Sequence, residues 1–100
     1  APEPAARIFL AQLGDLSKKK SLRLLEEFRK AKIQIAESLG RDSLRTQLAR
    51  ADKLGVEYTA ILGQKEVLDG TIVLRKMDTG EQETLKLEKV VEEIKERLKK

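Results

Sequence analysis

The side chains that could carry chemistry in this sequence are few in kind. His and Cys are both absent, which removes imidazole and thiolate catalysis, disulfides and Cys/His zinc sites. Carboxylates, amides, lysines and arginines remain, and they are unevenly spread. Residues 1–53 carry 12 basic and 7 acidic side chains (+5), whereas residues 54–100 carry 9 and 10 (−1), for a net charge of +4. A one-sided basic balance favours a polyanionic partner. Three short polar stretches stand out, each following or opening a run of apolar residues: Gly14-Asp15, Gly40-Arg41-Asp42 with Arg45 beyond it, and Gly63-Gln64-Lys65-Glu66. Arg75 follows nine residues after Glu66. Such groups exchange hydrogen bonds with base edges and phosphates but contain no nucleophile paired with a base.

The phosphate-cradling motifs are missing. No G-x-G-x-x-G follows the first apolar run, and no G-x-x-x-x-G-K-[ST] occurs anywhere. Asp15, Asp42 and Glu66 could form a receiver-like Mg²⁺ cluster only if an aspartate ended the first strand. That run ends Ala11-Gln12-Leu13, and Asp15 and Asp42 fit helix starts instead. No catalytic residue and no metal site is therefore assigned.

The positioning elements follow from hydrophobic spacing. Ala1 to Ala6, with two prolines and no periodicity, reads as a linker, leaving 7–100 as one domain. Arg7 to Gln12 reads as a strand buried on both faces, and Ile33-Gln34-Ile35-Ala36 as an edge strand. Between them runs a helix, capped by Asp15 or Ser17, with Leu22, Leu25 and Phe28 on its inner side. Asp42 or Ser43 caps a second helix, whose stripe is Leu44, Leu48 and Ala51 and whose terminator is Gly55. Val56 to Leu62 is the next buried strand. A short helix from Gln64 to Asp69 ends at Gly70. Thr71–Lys76 and Glu83–Leu87 then flank the turn Asp78-Thr79-Gly80 as a hairpin. A last helix carries Leu87, Val91, Ile94 and Leu98. Two right-handed βαβ units fix the first three strands as parallel. The expected fold is thus α/β, three-layered α/β/α, with a mixed five-stranded sheet in the order 2-1-3-4-5 and strand 4 antiparallel. In such a sheet ligands collect beyond the carboxyl ends of the strands, where Arg41, Arg45, Gln64, Lys65, Glu66 and Arg75 are expected to converge.

Aromatic residues make up only 3% of the chain, and two of the three, Phe9 and Phe28, occupy core positions. Base stacking of the RNA-recognition-motif kind is excluded, so any base reading relies on hydrogen bonds. No apolar run approaches a membrane span, and no signal peptide opens the sequence.

The ordered series Gly40-Arg41-Asp42-Ser43-Leu44-Arg45-Thr46-Gln47-Leu48, Ala51-Asp52-Lys53-Leu54-Gly55, Tyr58 to Glu66, Gly70 to Arg75 and Thr79 to Glu83 resembles the C-terminal anticodon-binding domain of histidyl-tRNA synthetases. That domain belongs to the class II synthetase anticodon-binding family. The resemblance implies an anticodon stem-loop as partner and a catalytic domain elsewhere, which uses ATP and Mg²⁺, with no cofactor in this domain. It also implies a cytoplasmic location. In threonyl-type members, a Glu after the third strand and an Arg on the next contact anticodon bases; these positions fall on Glu66 and Arg75. Gln64 and Lys65 follow by adjacency, and Arg41 and Arg45 suit phosphates. As plain structural residues, Glu66 would face solvent, Arg75 would pair with Glu83 across the hairpin, and Gln47 would cap one side of helix two. The alternative functions are a non-catalytic interaction or dimerisation module, or an engineered α/β domain without a ligand.

Overall fold

The computed structural model describes residues 7–14, 17–37 and 43–98. Its elements run β1 (Ile8–Gln12), α1 (Ser17–Lys30), β2 (Ile35–Glu37), α2 (Leu44–Leu54), β3 (Tyr58–Leu62), α3 (Gln64–Asp69), β4 (Thr71–Lys76), β5 (Gln82–Lys86) and α4 (Val90–Leu98), with a 3-10 turn at Leu87–Lys89 before α4. The five strands form one sheet in the order β2-β1-β3-β4-β5. β1 is parallel to both β2 and β3, and β4 is antiparallel to both β3 and β5. The topology is the expected one. The proposed linker, Asp15, Gly40, Arg41 and Asp42 lie outside the described residues.

Side-chain alternation along β1 divides the core in two. Ile8 and Leu10 join Leu24, Leu25 and Phe28 of α1, Val90 and Ile94 of α4, and Ala60, Leu62, Ile72 and Leu74 of the sheet. Phe9 and Ala11 face the other way, against Ala51, Val56 and Ile61, with Leu44 and Leu48 packed beside them. Right-handed crossovers that travel in opposite directions from the centre of a sheet put their helices on opposite faces. The chain steps from β1 out to β2 through α1 and back to β3 through α2, so α1 and α2 form the two outer layers.

Local signals set the ends of these helices. The Ser43 hydroxyl accepts from the Thr46 amide, capping α2 as expected. Gly55 closes α2 in the left-handed conformation (φ 74°), and its amide bonds back to Ala51 and Asp52 carbonyls. The inner face of α1 departs from expectation: Ser21, Leu24, Leu25 and Phe28 are buried, whereas Leu22 is 66% exposed. Leu22, Leu25 and Phe28 satisfy one helical spacing. Leu24, Leu25 and Phe28 form the tighter i, i+1, i+4 cluster, and that stripe meets the sheet. At the carboxyl end, α4 begins at Val90, and Val90 and Ile94 are its buried residues. Leu87, Val91 and Leu98 pack around them only partly buried.

The hairpin is held to α4 by one arginine. Arg97 bonds to Glu83 on β5 and to Glu93 one turn back (3.0 Å), and its guanidinium sits 5.7 Å from the centre of the Tyr58 ring. Burial acts to lower the Arg97 pKa, but the hydrogen bonds and charges of Glu83 and Glu93 outweigh it and leave it raised. A raised basic pKa contributes stability below the unfolded value and loses it only at still higher pH. Arg97 itself therefore stays charged through the whole neutral range.

The two-sided core makes a simple contrast. Leu24→Ala, at a site 3% exposed, is expected to cost about 2–5 kcal/mol, whereas Leu22→Ala should stay within about 0.5 kcal/mol. Urea denaturation of the two variants checks the inner face of α1; equal costs would contradict it.

Candidate nucleic-acid interface

β1 and β3 are parallel neighbours, so their carboxyl ends emerge together. The Leu13 amide still donates to the Leu62 carbonyl (3.0 Å), which ties the two exits side by side. Gly14 follows β1 with φ +84°, and a Cβ built there would lie 2.9 Å from Gln64 Cγ. Glycine suits the position on both counts: the left-handed backbone disfavours a side chain, and a Cβ would have to displace the Gln64 side chain. Gln64, Lys65 and Glu66 form the first turn of α3, and Gln64 and Lys65 are exposed. Arg45, also exposed, lies in the first turn of α2. Gln64, Lys65 and Glu66 therefore stand at the carboxyl edge, while Arg45 is placed only in the first turn of α2.

Glu66 does not simply face solvent. A Cβ on Gly63 would meet a Glu66 carboxylate oxygen at 3.2 Å, so the side chain folds back toward the residue that opens α3. A carboxylate at this position favours the positive end of the helix, and the backbone fixes where it points. Alternation along β3 places Gly63 in phase with Thr59 and Ile61, and Ile61 belongs to the core beneath α2. Glu66 thus overlies the α2 face of the sheet.

Arg75 lies on that same face but at the other end. β4 runs antiparallel to β3, which carries Arg75 back to a position opposite Thr59. From Gly63 to Thr59 is four residues, about 13 Å of strand. Arg75 is therefore not in the carboxyl-edge crevice, where the sequence predicts it. Its strand partner on β5 is Gln82, while Glu83 stands opposite Leu74. A one-residue offset reverses the face, so Glu83 points to the other side and takes Arg97 instead of Arg75. Among the described residues the buried Arg75 Nε has no hydrogen-bond partner, and the end of the guanidinium lies over Gly80, 3.5 Å from where a Cβ would stand. Gln82, Thr84 and Lys86 share its face by register and are exposed. The result is a polar strip on β4 and β5 beside α2, with Glu66 at one end and Arg75 toward the other.

Gln47 does more than cap one side of helix two. It is fully buried, and its carboxamide accepts from the Gln12 amide (2.9 Å) and donates to the Gln12 carbonyl (3.0 Å). A signal for this exists in the sequence: Gln47 falls inside the Leu44, Leu48, Ala51 stripe, where a polar side chain needs a buried partner. Among the described residues no group of three or more His, Cys, Asp or Glu could hold a metal ion, and no helix is long and apolar enough to cross a membrane.

Fold and site together define a small α/β module with an arginine- and carboxylate-bearing sheet face, suited to hydrogen-bonded recognition of a polyanion. A family model described as the anticodon binding domain matches residues 8–97, and the chain belongs to that family. A histidine–tRNA ligase of Dehalococcoides mccartyi is 35% identical over 97 residues, covering 97% of this chain and 23% of the relative. A crystal structure of histidyl-tRNA synthetase from a Nostoc species matches with a TM-score of 0.87 at 26% identity, over 95% of this chain and 23% of that one. The apo enzyme of S. aureus gives 0.83 at 29% identity, over 90% and 23%. The chain thus spans about a quarter of the length of these relatives.

The packing of Gln64 over Gly14 yields a test within the site. Gly14→Ala is expected to destabilise by about 1–2 kcal/mol from backbone strain alone, with a further steric part from Gln64. In a Gln64→Ala background only the backbone part should remain. A double-mutant cycle by chemical denaturation measures the difference, and strict additivity would rule out the contact.

Proposed function

We propose that this domain binds the anticodon arm of a histidine tRNA on the α2 side of its sheet, within a longer cytoplasmic chain whose catalytic domain charges that tRNA. Glu66 and Arg75 read base edges. Arg45, Gln64 and Lys65 hold the backbone of the loop, together with Arg41. Use of ATP and Mg²⁺ belongs to the catalytic domain, since none of the residues assigned here activates a carboxylate. The observation that carries the reading is membership of the anticodon binding domain family across residues 8–97. The site supports it on chemical grounds. A carboxylate accepts from base N–H groups, and a guanidinium donates two parallel hydrogen bonds. Stacking is not needed.

The electrostatic part predicts salt dependence. With about three phosphates neutralised, log K for a histidine-type stem-loop should fall against log[salt] with a slope of roughly −2 to −3. Titration of a labelled stem-loop over a salt series measures this, and a flat response would contradict backbone contacts.

The base-reading part is separable from the field. Glu66→Ala should weaken binding although it removes a negative charge. Arg75→Ala should cost about 1–3 kcal/mol and relax discrimination between cognate and scrambled anticodons. Lys19→Ala, on the exposed start of α1, should weaken all loops slightly and equally. Binding of both loops to the three variants, with circular dichroism as the folding control, decides the matter. Tighter but unselective binding by Glu66→Ala would remove it from base reading, and no binding by the wild-type chain would favour a protein-interaction module.

A further inference from the structure

Among the described residues, β1 pairs with β2 over less of its length than with β3. β1 and β2 pair only from Ile8 to Leu10, opposite Ile35 to Glu37, while β1 continues to Gln12 against β3. Backbone groups alternate sides along a strand. The Leu13 amide is turned toward β3, so the Gln12 amide and carbonyl point the other way, toward the β2 side. Both bond to the side chain of Gln47: Oε1 accepts from the Gln12 amide at 2.9 Å, and Nε2 donates to the Gln12 carbonyl at 3.0 Å. A primary carboxamide has the donor and acceptor of a peptide group, and here it satisfies the amide and the carbonyl of Gln12 together. Gln47 is fully buried and lies one helical turn after the cap Ser43. Its amide therefore fastens the start of α2 to the carboxyl end of β1.

We infer that Gln47 is a positioning residue of the RNA interface, fixing the first turn of α2, and with it Arg45, against the carboxyl edge of the sheet. The inference rests on the proposed RNA binding for its functional part, while the positioning can be read without RNA. No other side-chain type serves equally. Methionine has a comparable shape but removes both bonds to the Gln12 backbone. Glutamate keeps the acceptor, loses the donor and sets a carboxylate against a carbonyl oxygen.

The experiment uses the ¹⁵N-labelled full chain as wild type, Gln47→Met, Gln47→Glu, Arg45→Ala and Arg45→Ala/Gln47→Met. Amide exchange is followed residue by residue, and affinity is measured for a stem-loop carrying the histidine anticodon. In Gln47→Met, exchange should accelerate at least about tenfold at the bonded amides of Gln12, Thr46 and Gln47, while β3 and β4 keep their protection. Arg45→Ala should weaken binding severalfold in the wild-type background and add little to Gln47→Met, because the helix start is already released. Uniform acceleration over the whole sheet, or an undiminished Arg45→Ala penalty in the Gln47→Met background, would overturn the inference. If Gln47→Met does not fold, the same comparison is made with Gln47→Glu, which retains one of the two bonds. If the wild type binds no RNA, the proposed function fails, and the pattern of exchange alone decides whether Gln47 positions α2.

Discussion

The constraint on which the rest of this structure depends is the burial of β1 and β3 on both faces. Five consecutive residue pairs join the two strands in parallel, and Ile8, Phe9, Leu10 and Ala11 have no exposed surface. A parallel pair with apolar side chains on both sides is stable only with a helix on each side. Right-handed connections then force α1 and α2 onto opposite layers and bring the starts of both helices to the carboxyl edge of the sheet. The interface geometry follows from this. Because α2 spans the β2-β1-β3 side, the β4–β5 hairpin extends the sheet past its cover, and the face bearing Arg75, Gln82, Thr84 and Lys86 remains open to a partner.

That arrangement separates structural charge from available charge. Arg97, Glu83 and Glu93 engage one another on the α1/α4 side, and Arg7 is bound by Glu57 at 3.0 Å. These pairs secure the end of the sheet remote from α3. On the opposite face, the Arg75 Nε has no hydrogen-bond partner among the described residues, and Arg45 and Lys65 lie exposed in the first turns of their helices. A lone buried guanidinium nitrogen carries a desolvation cost, which makes Arg75 a more informative residue than its exposed neighbours. Glu66 is different again: its fold back toward Gly63 limits its conformations, so little side-chain freedom would be lost in the proposed contact with a base.

Much of this is legible in the sequence because it is written in period and punctuation. The doubly apolar runs of β1 and β3, the Ser43 cap, the Gly55 terminator and the Asp78-Thr79-Gly80 turn all point to their observed elements. What is not legible is set by pairing between distant segments. Arg75 and Glu83 look like hairpin partners in sequence, but the register opposes Arg75 to Gln82, and one residue of offset separates the two charges by the thickness of the sheet. Leu22 fits an apolar stripe as well as Leu24 does until the position of the sheet selects between them. Gln47 interrupts the apolar stripe of α2 and so signals a buried partner, but that partner, the Gln12 backbone 35 residues away, is set by the packing of α2 against β1. The place of Glu66 and Gln64 at the carboxyl edge can be read locally; that of Arg75, on the far end of the same face, requires the antiparallel return of β4.

The most direct test of RNA binding on this face is a titration of the ¹⁵N-labelled chain with an unlabelled stem-loop bearing the histidine anticodon, followed by amide chemical shifts. Perturbed signals are expected on Gln64 to Glu66, on the first turn of α2, and on Arg75 with Gln82 and Thr84. Signals from α1 beyond its first turn and from α4 should stay in place. Perturbations confined to the α1/α4 layer, or no perturbation at stem-loop excess, would contradict the central claim that this sheet face receives RNA.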